Sequence, residues 1–313
     1  MTLQQLKYIL TIVSCGSISE AAKQLFISQP SLSSAVKDLE QELGIEIFLR
    51  SARGITLSNE GIEFLSYARQ VVEQAELLEQ RYKHKEPAKK LLSISTQHYA
   101  FAVQAFVNLL KELDANEYEC TLRETRTYEI LEDVRNLRSE LGVLYLSEFN
   151  RKVLQKMLRD RGLRFQPLFT AEPHVFISTA HPLAGKTSIE IEELDDYPCL
   201  AFEQGEYNSF HFAEEILSTE TFKKRIAVSD RATLFNLLIG LNGYTISSGV
   251  LNSDLNGDQI TSVRLRTEER MLIGYITNES VQLSRLALTY IDKLKEIILS
   301  FGYPIMTTKD GLH

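Results

Sequence analysis

The stretch "SQPSLSSAVKDLEQELG", residues 28–44, decides how the first part of the chain folds. Leu32, Val36, Leu39 and Leu43 recur at spacings of 4, 3 and 4, the seam of a helix with one buried side. Ser28 is placed to cap it, Pro30 falls in the first turn, where a missing N–H costs nothing, and Gly44 stops it. At ~100° per residue, Pro30, Ser34, Lys37 and Gln41 lie opposite the seam, and Gln29, Ser31 and Ser33 border them near the amino end. Serine is a mediocre helix former, so a serine-lined face needs a reason other than propensity. A short, flat, hydrogen-bonding surface at a helix start suits a helix laid into a DNA major groove. The plain alternative is a solvated face.

The flanking sequence favours the groove. Upstream, Leu3, Leu6, Ile9, Leu10 and Val13 form a helical stripe. In "GSISEAAKQLFIS", Ser17 or Ser19 can cap a helix over about 20–25, with Ala21 and Ala22 small enough for another helix to come close. A turn over 26–28 leads into the serine-faced helix, which completes a helix-turn-helix. Downstream, "IEIFLRSARGITLS" reads as two short strands around a loop holding Arg50, Arg53 and Gly54. That is a wing, with two arginines suited to phosphates or the minor groove. From Ser58 a long helix runs to about residue 85. Its apolar positions Phe64, Ala68, Val71, Ala75, Leu78 and Tyr82 are spaced 4, 3, 4, 3 and 4. A sustained repeat of about 3.5 residues is the seam of a two-stranded coiled coil, and so of dimerisation; the alternative is a helix packed on its own domain.

Residues 1–85 resemble the amino-terminal module of LysR-type transcriptional regulators, through "AAKQLFISQPSLSSAVKDLEQELGIEIF", then Arg50 and Arg53, then "LSNEG". The resemblance implies that Ser28, Gln29, Pro30, Ser31, Ser33, Ser34 and Lys37 face DNA, with Arg50 and Arg53 in the wing. Few long polar side chains stand on that face, so the half-site sequence is not readable from it.

"HKEPAKK", with Pro87 in a charge cluster, reads as a hinge. Beyond it strand and helix alternate: "LLSIS", "YECTLRE" and "LGVLYL" as strands with helices between, which implies a largely parallel sheet. "RFQPLFTAEPHVFISTAHPLAG", "CLAF", "RIAV", "GYTIS", "SVRLR" and "MLIGYI" add strands, and helices are expected over 210–217, 233–241 and 281–299. The pattern gives two α/β subdomains. The resemblance extends over nearly the whole chain, because LysR-type regulators carry a two-lobed, periplasmic-binding-protein-like effector domain. The expected fold is α+β and multi-domain: a winged helix-turn-helix at 1–58, a linker helix at 59–86, a hinge at 87–90, an effector domain at 91–301 and a tail at 302–313. The family implies lobe 1 at about 91–166 and 269–301 and lobe 2 at about 167–268.

Ligands of open α/β sheets sit beyond the carboxyl ends of strands. Those ends carry Ser95, Thr96 and Gln97, then Thr125, Arg126 and Thr127, then Phe202 and Glu203, with Asp230 and Ser247 further on. Hydroxyls and free N–H groups at helix starts make an anion site, and Arg126 could clamp a carboxylate. Glu203 and Asp230 could instead hold an ammonium. The expected effector is therefore anionic or zwitterionic, and each hydroxyl has a simpler reading as a helix cap. His98, at a strand end, could touch a ligand.

Composition sets outer limits. The chain has 313 residues, 44% of them hydrophobic, which is enough for about two domains. A net charge of -8 argues against a surface that is basic all over, though not against a local basic strip. Three separated cysteines, Cys15, Cys120 and Cys199, form no metal spacing and suit free thiols in a reducing compartment. "IVSC" at 12–15 imitates a lipoprotein cleavage site, but its apolar run is too short and the basic start is missing. No Walker loop, His-Glu-x-x-His or Gly-x-Ser-x-Gly is present. The reading is a cytoplasmic regulator, not an enzyme, with no metal or cofactor. Its partners are a near-palindromic double-stranded DNA, a small effector and itself as a homodimer or homotetramer, with RNA polymerase a further candidate and no membrane. The rivals are a solute-binding lipoprotein and a metabolite-processing α/β enzyme.

Overall fold

The computed structural model describes residues 1–51, 54–83, 90–114, 117–251 and 257–306. The chain divides into two compact units, Met1–Ala88 and Lys89–His313. The expected hinge at 87–90 and the end of the tail fall largely outside the described residues.

In the first unit, α1 (Leu3–Cys15), α2 (Ile18–Gln24) and α3 (Gln29–Leu43) precede the strands β1 (Phe48–Ser51) and β2 (Gly54–Leu57) and the helix α4 (Asn59–Lys83). Each helix start follows from a local side chain. Thr2 and Gln5 form a capping box on α1, and Ser17 accepts from the Glu20 N–H on α2. Ser28 accepts from the Ser31 N–H on α3, and Gly16 and Gly44 end α1 and α3 in the left-handed region. Ile9, Ile12, Ala21, Ala22, Leu32, Val36, Leu39, Ile47 and Phe48 form the core. At roughly 1.5–3 kcal/mol per large apolar side chain, this burial rather than helix propensity holds α3 in place.

Glu40, on α3, accepts from the backbone N–H of Ile47 at 2.8 Å and of Phe48 at 3.0 Å, tying the helix to the wing. β1 and β2 pair antiparallel, Phe48 opposite Leu57. Ser58 caps the entry to α4 by accepting from the Gly61 N–H at 2.8 Å. At Gly61 an added Cβ would stand 2.1 Å from the Ile47 carbonyl oxygen, so only glycine lets α4 pass so near the wing.

The second unit begins with a five-stranded sheet in the order β4-β3-β5-β13-β6. Its strands are β3 (Lys90–Thr96), β4 (Tyr118–Glu124), β5 (Leu141–Leu146), β6 (Leu163–Ala171) and β13 (Met271–Asn278). β3 runs parallel to β4 and β5, and only β13 is antiparallel to its neighbours, so the sheet is largely parallel with one reversed strand. That strand is the chain returning from the second lobe. Helices α5 (Ala100–Lys111), α6 (Thr127–Arg135), α7 (Glu148–Asp160) and α9 (Arg285–Ser300) cover it. The second lobe holds β7 (His174–Ser178), β8 (Ser188–Ile189), β11 (Thr245–Ser247) and β12 (Ile260–Leu265) in the order β11-β7-β12-β8. The parallel pair β9 (Cys199–Phe202) and β10 (Arg225–Val228) and the helix α8 (Arg231–Leu241) complete it.

Two departures from the sequence reading matter. β6 stays in the first sheet as far as Ala171, so the chain crosses between lobes at 172–173, later than the boundary at 166/167. The helix expected over 210–217 is absent. Only a 3-10 turn, Phe210–Phe212, forms there, and Leu217 takes a φ of 63°. The carbonyls a helix would use internally are bonded elsewhere. The Thr127 hydroxyl donates to the Phe212 carbonyl at 2.8 Å, and the Tyr145 hydroxyl reaches the carbonyls of Ala213 at 3.1 Å and Glu215 at 3.3 Å. Phe212 is buried in an apolar cluster with Ile130, Leu131 and Leu154 of the first lobe. The segment is a strap thrown from the second lobe onto the first, and its tertiary bonds override its local preference for helix.

Gly61→Ala should lower the stability of the DNA-binding unit by about 1–3 kcal/mol, because backbone must move to admit the methyl group. Chemical denaturation followed by far-ultraviolet circular dichroism, with an unchanged first transition as the contrary result, checks this.

Candidate functional site

The seam of α3 is buried through Leu32, Val36 and Leu39, with Leu43 half-buried. That fixes the opposite side outward. Ser28, Gln29, Pro30, Ser31, Ser34 and Lys37 are exposed, and Ser33 is half-buried at the edge. Ser28 and Ser31 bond to each other at 2.7 Å through their hydroxyls. The structure therefore brings the candidate DNA contacts of α3 onto one polar face. Arg53 lies outside the described residues, as do the side chains of Arg50 and Tyr82. The preceding turn holds Phe26 in the left-handed region, φ 56°, with its ring 95% exposed, a position the sequence did not single out.

α4 has two apolar faces. Ala68, 2% exposed, and Val72 pack with Leu6 of α1, and Phe64 and Leu65 join the same contacts. Lys7 reaches Glu76 at 3.4 Å on that side. Phe64 and Ala68, expected in an intermolecular seam, are thus occupied by their own domain: helix periodicity shows that a stripe is apolar but not which surface covers it. Tyr67, Val71 and Leu78 are exposed, the last by 60%, and Ala75 is half-buried. With the Tyr82 position they span an arc of about 80° on the wheel, which Ala68 borders.

In the second unit the strand ends converge as expected, but their polar groups are already engaged. The Ser95 hydroxyl donates to Asp133 at 2.8 Å, and that of Thr96 to the Gln97 carbonyl at 2.8 Å. Gln97 donates to the Thr127 hydroxyl at 2.6 Å and accepts from Tyr99 at 3.1 Å and from the Tyr145 N–H at 3.0 Å. Thr125 bonds Glu129, and Arg126 bonds Glu203 and Glu129. Arg126 therefore holds carboxylates of its own chain rather than waiting for a ligand. With Arg123, Tyr128, Gln204 and Tyr207 it lines a cavity of about 530 Å³. Asp230 caps α8 by accepting from the Thr233 N–H at 2.8 Å, its simpler reading.

Between the lobes lies a second, much smaller cavity of about 20 Å³, lined by His98, Phe176, Phe202, Glu215, Arg231 and Phe235 among others. His98 stacks on Phe202, centroids 3.8 Å apart and planes 7° from parallel. Its backbone N–H donates to Glu214 at 2.8 Å, and its Nδ1 lies 2.9 Å from the same carboxylate. The two side chains are 5% and 4% exposed. Burial pulls the His98 pKa down, but the Glu214 carboxylate more than offsets it, so the ring is held above its usual value and favours the charged, paired form. Next to it, Glu215 accepts from the Phe202 N–H at 2.9 Å through one oxygen, while its other oxygen is buried with no hydrogen-bond partner. Burial first, and the neighbouring Glu214 charge second, push its carboxyl up to about 8. Glu124, bonded to Arg231 at 3.4 Å, also has one unpartnered buried oxygen, and burial raises its pKa. Of this group the sequence reading singled out His98 and Phe202 but missed Glu214, Glu215 and Arg231. The one available signal was a charged pair set in the apolar run "FAEEIL".

Together these features define a DNA-reading head joined to a two-lobed receptor for a small molecule. Residues 3–62 match the model of the bacterial regulatory helix-turn-helix protein, lysR family, and residues 91–297 match that of the LysR substrate binding domain. The chain belongs to the LysR family and is a DNA-binding transcriptional regulator with an effector-binding domain. It is 26% identical over 270 residues to the HTH-type transcriptional regulator CysL of Bacillus subtilis (strain 168), covering 83% of this chain and 85% of that protein. To the HTH-type transcriptional regulator MetR of Escherichia coli (strain K12) it is 28% identical over 193 residues, 61% of this chain and 57% of that one. A solved structure of an OxyR C206 mutant from Corynebacterium glutamicum shares the fold, with a TM-score of 0.53 at 21% identity, covering 96% of this chain and 93% of that chain. No helix among the described residues is long and apolar enough to cross a membrane. Cys15, the residue behind the lipoprotein rival, ends α1 half-buried and bonds Gln24 at 2.8 Å.

A carboxyl raised to about 8 keeps its proton in the folded state between roughly pH 4.5 and 8, where the unfolded chain has lost it. The associated stability is complete below about 4.5 and is lost as pH rises toward 8. Glu215→Gln should therefore stabilise the effector domain at pH 7 by on the order of 3 kcal/mol, with the gain vanishing near pH 4. Thermal unfolding of both proteins across this range measures it; a gain independent of pH would contradict the assignment.

Proposed function

We propose that the protein acts in the cytoplasm as a homodimer or a homotetramer built from such dimers. In each dimer, two copies of α3 enter successive major grooves of a near-palindromic operator. Gln29, Pro30, Ser31, Ser33, Ser34 and Lys37, with Ser28 at the helix start, meet bases and phosphates, and Arg50 and Arg53 of the wing meet the backbone. The observation that carries this reading is the outward polar face of α3 fixed by burial of Leu32, Val36 and Leu39. Tyr67, Val71, Ala75 and Leu78 supply the pairing surface, because they share one apolar arc of α4 on which Tyr67, Val71 and Leu78 are exposed.

A small effector binds between the lobes and shifts the balance between assemblies that hold DNA differently, by no more than its difference in affinity for the two states. Of the two ligand chemistries drawn from the sequence, the zwitterionic one is retained. Arg126, the guanidinium available to a simple anion on the sequence reading, is paired with Glu203 and Glu129; Glu203 and Asp230 are likewise engaged, so the ammonium half falls to other carboxyls of the cleft.

Ser34→Glu should lower operator affinity at least roughly tenfold by setting a carboxylate against phosphates, without changing the melting curve. A gel shift with unaltered affinity would remove α3 from the interface. Leu78→Lys should convert the assembly to monomers at micromolar concentration, read by light scattering, and persistence of the dimer would move the interface elsewhere.

A further inference from the structure

We infer that the interlobe cavity recognises the ammonium group of its effector, with Glu215 as acceptor and Phe202, Phe176 and Phe235 as the apolar wall. The inference rests on the reading that the effector binds between the lobes, and it names the chemistry selected there.

The donors and acceptors at the cavity decide which charge it takes. A simple anion would be held best by a charged donor, and the charged donors at the cavity, His98 and Arg231, already face the chain's own carboxylates; Thr245 and Ser247 also line it, but a hydroxyl donates or accepts and does not choose between charges. The His98 N–H and ring both go to Glu214, as does the Gln204 amide at 3.2 Å. The Phe202 N–H goes to Glu215, and the Arg231 guanidinium to Glu124. Glu214 thus occupies the imidazole and the N–H just before α5 that an external carboxylate would otherwise take. What remains over is acceptor capacity. One oxygen of Glu215, a residue 6% exposed, has no hydrogen-bond partner, and the proton this carboxyl holds at neutral pH in the empty cleft leaves to solvent when an ammonium binds, so that the ammonium meets a carboxylate. A buried polar oxygen left unmatched costs about 1–3 kcal/mol, more when charged, and a ligand that brings donors recovers it.

Size and wall chemistry point the same way. A cavity of about 20 Å³ holds one water-sized group, and an ammonium is of that size. The aromatic lining suits a cation, since ring faces attract positive charge most where water is excluded. The ammonium also meets a favourable local balance. Beside Glu215 stands Glu214 as a further acid, against His98, Arg225 and Arg231, of which His98 and Arg231 already face carboxylates.

The test uses the full-length protein with methylammonium, ethylammonium and free neutral amino acids as probes, set against acetate, propionate and the N-acetylated amino acids. The readouts are thermal shift and calorimetry. The expected result is a rise in the effector-domain melting temperature with the ammonium probes, lost on N-acetylation and weakened at least tenfold in Glu215→Gln. Since that substitution should stabilise the fold, lost binding there is not lost structure. Binding of carboxylates or N-acetylated compounds that disappears in Phe202→Ala would overturn the ammonium assignment while leaving the effector in the cleft. Binding of any probe that is indifferent to both substitutions would overturn the cleft reading itself. No response to any ammonium probe would also overturn the assignment and leave the cavity to water.

Discussion

A carboxylate from one lobe bonded to the head of a helix in the other governs the receptor half of this protein. Glu214 reaches the backbone and ring of His98, both side chains almost fully buried. Removing two charged groups from water is costly unless geometry and extra hydrogen bonds compensate, and here Gln204 and the His98 N–H supply those bonds. The pair keeps the strap seated, and the strap carries Phe212 into the first lobe's core; the cavity at His98 itself is about 20 Å³.

The DNA-binding half depends on a different economy of faces. Each of its long helices has to be covered on one side and bare on the other, and the core decides which. α3 buries its leucines and so shows its serines. α4 gives Ala68 and Val72 to α1 and leaves Tyr67, Val71 and Leu78 outside. Small hydroxyl side chains add little bulk to the exposed face, which lets a helix of this diameter approach a groove floor closely.

The sequence disclosed most where structure is local. The α3 seam, the caps at Ser28 and Ser58, the glycine stop at Gly44 and the strand–helix alternation after residue 90 are all periodic or single-residue signals, and the elements stand where they point. It disclosed least where distant groups compete for the backbone. The run around Glu214 has the composition of a helix, but Thr127 and Tyr145 take its carbonyls, and neither is near in sequence. On α4 the apolar period was legible, but the face that meets α1 was not, because periodicity carries no information about partners. At the strand ends the right residues were found and the wrong availability inferred: a hydroxyl or guanidinium in a sequence looks free until its neighbours are known.

The passage between the lobes carries a last consequence. Two chain segments make the crossing, at 172–173 and 266–270, and they lie side by side. The Leu265 N–H donates to the Pro173 carbonyl at 2.9 Å, and Glu172 meets Arg264 at 2.8 Å and Arg270 at 3.5 Å. Exposed ion pairs of this kind add little energy, but paired ribbons resist shear and twist while yielding to bending. Bending is therefore the softest motion of the strip, which favours a door-like swing of one lobe over a free swivel.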